Sequence, residues 1–78
     1  MTPKIMSAKP NNDYSITLEY QNGQIRRYDM KPWLNKGVYC RLKDAGLFKA
    51  LQISFDTISW PGNIDIDPET LYEDSIPL

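Results

Sequence analysis

Histidine is absent from the 78 residues, and cysteine occurs once, as Cys40. The first absence removes the side chain whose ordinary pKa lies nearest neutrality, and with it the usual general acid–base group. The second excludes an internal disulfide and suits a reducing compartment. Cys40 has no imidazole to activate it, and a lone cysteine on a half-buried element packs as a small apolar residue. No Gly-rich phosphate loop, Ser-centred elbow or Cys/His metal spacing occurs. No apolar run is long enough to span a membrane, and Met1–Pro10 has no signal-peptide pattern. A soluble, cytoplasmic protein without enzymatic activity or cofactor is expected.

The last twenty-eight positions also lack any basic residue. Asp56, Asp65, Asp67, Glu69, Glu73 and Asp74 give them a charge of −6. The first fifty carry nine lysines and arginines against four acids, a balance of +5. The two halves are expected either to pack together and neutralise each other, or to leave an acidic face for a basic partner.

What is present is an aromatic-rich chain of single-domain size. Such a chain buries only about 60–65% of its unfolded surface, so the two Trp, five Tyr and two Phe matter as anchors. Ser59–Tyr72 is the most informative stretch. Trp60 precedes Pro61 and is pushed to extended backbone, and Pro61-Gly62 reads as a type II turn. Ile64 and Ile66 then alternate with Asp65 and Asp67 as a short half-buried strand. Asp67 is a good N-cap, Pro68 fits the first helical position and Glu69 favours the helix N-terminus. A helix is predicted from Pro68, carrying Leu71 and Tyr72 inward and ending by Ser75–Pro77.

Upstream, Lys4–Pro10 reads as an edge strand and Asn11–Asp13 as a turn. Tyr14, Ile16, Leu18 and Tyr20 alternate with polar residues as a second strand. A two-residue Asn22-Gly23 turn would set Leu18 against Arg27 and Ile16 against Asp29. A three-residue loop, Gln21–Gly23, instead pairs Leu18 with Arg26, Ile16 with Tyr28 and Tyr14 with Met30. This register, with Gly23 in the left-handed region, is the prediction. Ile25 then faces the other side, so the sheet is expected to be covered, or bound, on both faces. Val38–Leu51 is read as irregular helical turns packing Leu42, Leu47 and Phe48 on the sheet. Leu51, Ile53 and Phe55 read as a strand that continues to Ile58 and Trp60 through a turn or bulge at Asp56-Thr57.

Asp65, Asp67 and Glu69 lack the further ligands and the glycine of a calcium loop, so no metal is expected. Arg26 and Arg27 must point to opposite faces of a strand, and one of them is expected to pair with Glu19 or the acidic tail. That arrangement, on an overall acidic chain, argues against direct nucleic-acid binding. Trp33, after Pro32 in a connecting segment, is the aromatic most suited to anchor a partner.

The order Asp-Tyr-x-Ile-x-Leu-x-Tyr, Asn-Gly, Arg-x-Tyr-Asp, Leu-Lys-Asp-x-x-x-Phe and Trp-Pro-x-x-Ile-Asp-Ile-Asp-Pro-Glu-x-Leu-Tyr covers most of the chain. It resembles the small bacterial domain-of-unknown-function family numbered 2442, with Asp65–Tyr72 the most specific part. The resemblance implies an α+β fold, a small meander with short helices. It also implies a module found alone or ahead of a helix-turn-helix domain, in some members beside a putative toxin and termed antitoxin-like. It supplies no catalytic residues. The chain stops shortly after the motif, so a stand-alone form without an appended DNA-binding domain is expected.

The expected architecture is therefore a single α+β domain over residues 1–78. It is a two-layer antiparallel meander of about four to five strands with one or two short helices. The expected function is a non-enzymatic protein–protein interaction module, antitoxin-like, whose partner is another small protein or a second copy. Its contact residues are Trp33, Asp65, Asp67, Glu69, Glu73 and Asp74. The alternative is a small-ligand-sensing or dimerisation domain with a pocket between the sheet and Val38–Phe48.

Overall fold

The structure, a computed structural model, describes residues 2–78. Alternating residues place β1 (Ile5–Pro10), β2 (Ser15–Tyr20) and β3 (Ile25–Asp29) in one antiparallel sheet. The hairpin register is the predicted one, with Leu18 opposite Arg26 and Ile16 opposite Tyr28. Gly23, at φ +88°, takes the left-handed position that closes the loop. This choice keeps Ile16, Leu18, Tyr20, Tyr28 and Met30 on the buried face. Ile25, on the opposite face, is 47% exposed, so the chain itself does not cover both sides of the sheet.

The chain then leaves through short 3₁₀ turns at Lys31–Trp33 and Gly37–Lys43 and one helical turn, α1 (Ala45–Phe48). Leu42 and Phe48 are buried beneath them, with Leu47 half-buried against the same core. A second sheet follows, with β4 (Gln52–Ser54), β5 (Thr57–Trp60) and β6 (Ile64–Asp65) in that order. Here the expected Leu51–Phe55 strand is corrected. Chain reversal occurs at Phe55-Asp56, with Ser54 opposite Thr57, so β4 and β5 are two strands of a hairpin. The change of apolar parity between Ile53 and Ile58 is what a hairpin absorbs, because these two residues face each other across it. Phe55 sits at the tip, 98% exposed and at φ +57°, a position where glycine is the ordinary choice.

Trp60, Ile64 and Ile66 close the core from this side, as their alternation requires. The chain turns at Pro61–Asn63, with Gly62 at φ +93° and Asn63 at φ +63°. α2 (Pro68–Glu73) begins as predicted, with the Thr70 N–H donating to the Asp67 carboxylate at 3.1 Å. Replacing Asp67 with alanine should lower stability by about 1 kcal/mol, the usual worth of such a cap. Urea unfolding would measure it, and an unchanged midpoint would show that tertiary packing alone holds the helix. After α2, β7 (Ile76–Pro77) pairs with β3 and completes the first sheet in the order β1-β2-β3-β7. The expected small antiparallel α+β fold with short helices is what forms, and among the described residues its strands number seven, in two sheets, where four or five were expected. Among the described residues, no helix is long and apolar enough to cross a membrane.

Candidate functional site

The expected contact residues do not form one cluster. Asp65 lies on β6, on the wet face of the second sheet, where cross-strand pairing aligns it with Ser59 and Gln52. Together with Pro61, Gly62 and Asn63 these residues line a cleft of about 380 Å³. The Asp65 main-chain carbonyl accepts a hydrogen bond from the Tyr39 hydroxyl at 2.7 Å, which fixes the strand and leaves the carboxylate exposed. Asp67 and Glu69 occupy the start of α2, and Glu73 and Asp74 its end, all exposed. Among the described residues, no three carboxylate or cysteine groups converge as a metal ion would require.

Trp33 and Asp74 meet in a second cleft, about 310 Å³, lined also by Arg27, Asp29, Pro32, Lys36, Ile76 and Tyr28. The 3₁₀ turn that begins at Lys31 places Trp33 there, its half-buried ring held edge-on by Tyr39 at 5.4 Å. The Lys36 ammonium stands 5.4 Å from the Trp33 ring centroid, a cation–π contact. Both clefts lie away from the space between the sheet and Val38–Phe48 where the ligand-sensing alternative expected a pocket.

Charge pairing departs from expectation in a telling way. Among the described residues, the ion pairs are Arg27 with Asp13 at 2.7 Å and Lys31 with Asp29 at 3.5 Å, both within the first fifty positions. Arg27 therefore turns to the turn aspartate, and not to Glu19 or the tail. The Ser15 hydroxyl and then Arg27 hold the Asp13 carboxyl well below the usual carboxylate range. Arg26 does reach the tail, but through the Ser75 hydroxyl and carbonyl, and it has no carboxylate partner among the described residues. Among the described residues, no ion pair joins the two halves. All six acids of the last twenty-eight residues keep exposed side chains without a cation partner among the described residues.

Among the described residues, the buried hydroxyls of Tyr20 and Tyr28 have no hydrogen-bond partner. Burial pushes both phenols up to about 12, and Asp74 adds to the rise at Tyr28. The Trp33 indole N–H opposes that rise, approaching Tyr28 without closing a bond of normal geometry. Their folded pKa values exceed the unfolded value of 10.0, so their contribution is complete below pH 10 and is lost as pH rises toward 12. Stability should therefore fall through that window, and Y20F/Y28F should remove much of the fall. Tyr28→Phe at neutral pH should be neutral or stabilising by up to about 1 kcal/mol, because it deletes an unsatisfied buried group. Thermal unfolding between pH 7 and 12 tests both; a destabilised Tyr28→Phe would mean the hydroxyl has a structural partner.

Sequence reasoning missed Tyr28 and Ile76 as cleft residues. An apolar pair, Ile76 and Leu78, at the end of an otherwise acidic segment was the available signal.

The model of the family described as protein of unknown function, DUF2442, matches residues 5–77, nearly the whole chain. The chain belongs to this family. No curated protein and no solved structure matches it. The DUF2442 match spans both sheets and α2, so the clefts and the acidic segment all lie within the family's domain.

Proposed function

We propose that this DUF2442 domain is a non-enzymatic protein-interaction module whose acidic C-terminal segment engages a small basic protein in an antitoxin-like pairing. The observation that carries this reading is the set of exposed carboxylates at Asp65, Asp67, Glu69, Glu73 and Asp74, which have no cation partner among the described residues. A chain with nine basic residues could have neutralised them internally, yet its ion pairs use other acids. Uncompensated surface charge of one sign steers association with the opposite sign and excludes like-charged partners. The chain has no histidine to tune near neutrality, which weighs against catalysis.

Tagged protein would be used to capture partners from the native cytoplasm, in parallel with D65N/E69Q/E73Q. The wild type should hold a stoichiometric small basic protein, with affinity falling about tenfold or more in the triple variant at low salt and less at high salt. An unchanged affinity at low salt would sink this reading. A domain that captures nothing but shows a thermal shift with a metabolite would favour the ligand-sensing alternative.

A further inference from the structure

The outer face of the first sheet is polar where Ser7 and Glu19, and Lys9 and Thr17, pair across β1 and β2. It turns apolar at the β3–β7 end. Arg27 lies opposite Ile76, and the Leu78 N–H donates to the Ile25 carbonyl at 2.9 Å, extending the ladder by one pair. Cross-strand partners project from the same face, so Ile25, Ile76 and Leu78 form one strip, 47%, 63% and 75% exposed. Scattered surface aliphatics need no explanation, but three on adjacent positions mark a contact face.

Ile76 also lines the cleft that holds Pro32, Trp33 and Asp74, so strip and cleft are continuous. Tyr28 lines the same cleft, its buried hydroxyl without a hydrogen-bond partner among the described residues. Of the acids there, Asp29 is bonded to Lys31, whereas Asp74 has no cation partner among the described residues. The face of Trp33 already accepts a cation, that of Lys36. The free edge beside the strip is blunted: the ladder directs the peptide groups of Ile76 and Leu78 to β3, leaving Pro77, which has no N–H, on the outside. A guest is therefore received on the face, not as an added strand.

We infer that Ile25, Ile76 and Leu78, with the Trp33–Asp74 cleft, dock a segment of a partner protein in which aliphatic residues adjoin an arginine or lysine. The aliphatic side chains cover the strip. The basic side chain enters the cleft, displaces Lys36 from Trp33 and pairs with Asp74. This rests on the interaction-module reading and narrows it to the Glu73–Leu78 end of the acidic segment.

The test pans a phage-displayed random peptide library against the full chain, with sedimentation of the chain alone in parallel. Enriched peptides should share an aliphatic residue beside a basic one. Their affinity should fall about tenfold with I76S/L78S and with D74N, as for central contacts. It should rise with K36A, which a merely structural role for the cleft would not produce, and should fall less with D65N or E69Q than with D74N. Basic peptides insensitive to I76S/L78S and D74N but weakened by D65N and E69Q would overturn this site while leaving the acidic reading intact. Enrichment of peptides without basic residues, or no enrichment, would overturn both. A dimer abolished by I76S/L78S would assign the strip to a second copy and overturn the proposal.

Discussion

Replacing Trp60 with alanine is expected to cost about 3–5 kcal/mol, the range for truncating a buried aromatic. Trp60 is 2% exposed, and its ring lies 6.2 Å from that of Phe48, which in turn packs 5.1 Å from Tyr14. This line of rings joins the second sheet to α1 and to the entrance of β2. The indole N–H also donates to the Phe48 carbonyl at 2.9 Å, inside the core. Alanine would leave both a cavity and a buried acceptor without its donor. A domain of this size has total stability of roughly 4–12 kcal/mol, so the variant should be largely unfolded or close to it. Phenylalanine keeps the ring stack and loses the hydrogen bond, and should cost roughly 1–3 kcal/mol. Chemical denaturation followed by tyrosine circular dichroism would measure both. A Trp60→Ala loss under about 1 kcal/mol would mean that the two sheets do not share one core.

Arg26→Met should be the second most damaging change, at about 2–4 kcal/mol. Arg26 is 9% exposed on the inner face of β3, where an aliphatic residue would be the ordinary choice. Its guanidinium instead donates to the Ser75 carbonyl at 2.8 Å and to Gln24 at 2.9 Å, and lies 4.4 Å above the Tyr72 ring. The Ser75 hydroxyl accepts from the same group and donates to the Tyr72 carbonyl. One buried cation thereby ties the end of α2 to the sheet and sets the start of β7. Lysine cannot supply the planar fork, so Arg26→Lys should recover little of the loss. Amide exchange offers a finer measurement: β7 and the last turn of α2 should open in Arg26→Met while β1 and β2 stay protected. Uniform loss of protection would show that Arg26 supports the whole fold and not the clip. Ile76 and Leu78 follow directly on Ser75, so peptide docking should weaken in the same variant.

Local chemistry made much of this molecule legible. The alternation in β2, the charge penalty of the wrong hairpin register, and the Asp67-Pro68-Glu69 cap are decided within a few residues of each other, and each appears where it was expected. So does the Pro61-Gly62 turn, because proline restricts φ and glycine alone adopts φ +93° without strain. The absence of histidine and the segregation of charge are likewise properties of composition, fixed before any folding. Tertiary structure decided the rest, because it depends on which distant segments become neighbours. Only the folded chain shows that Arg26, at an inward position, finds its partners forty-nine residues away at Ser75. Only it shows that, among the described residues, the basic half turns to Asp13 and Asp29 and makes no ion pair with the acidic tail. The same holds for Ile25, Ile76 and Leu78: each is an ordinary aliphatic in sequence, and they become a surface only when β7 adds to β3. Pairing between strands so far apart is set by the packing of the whole core, which no local periodicity encodes.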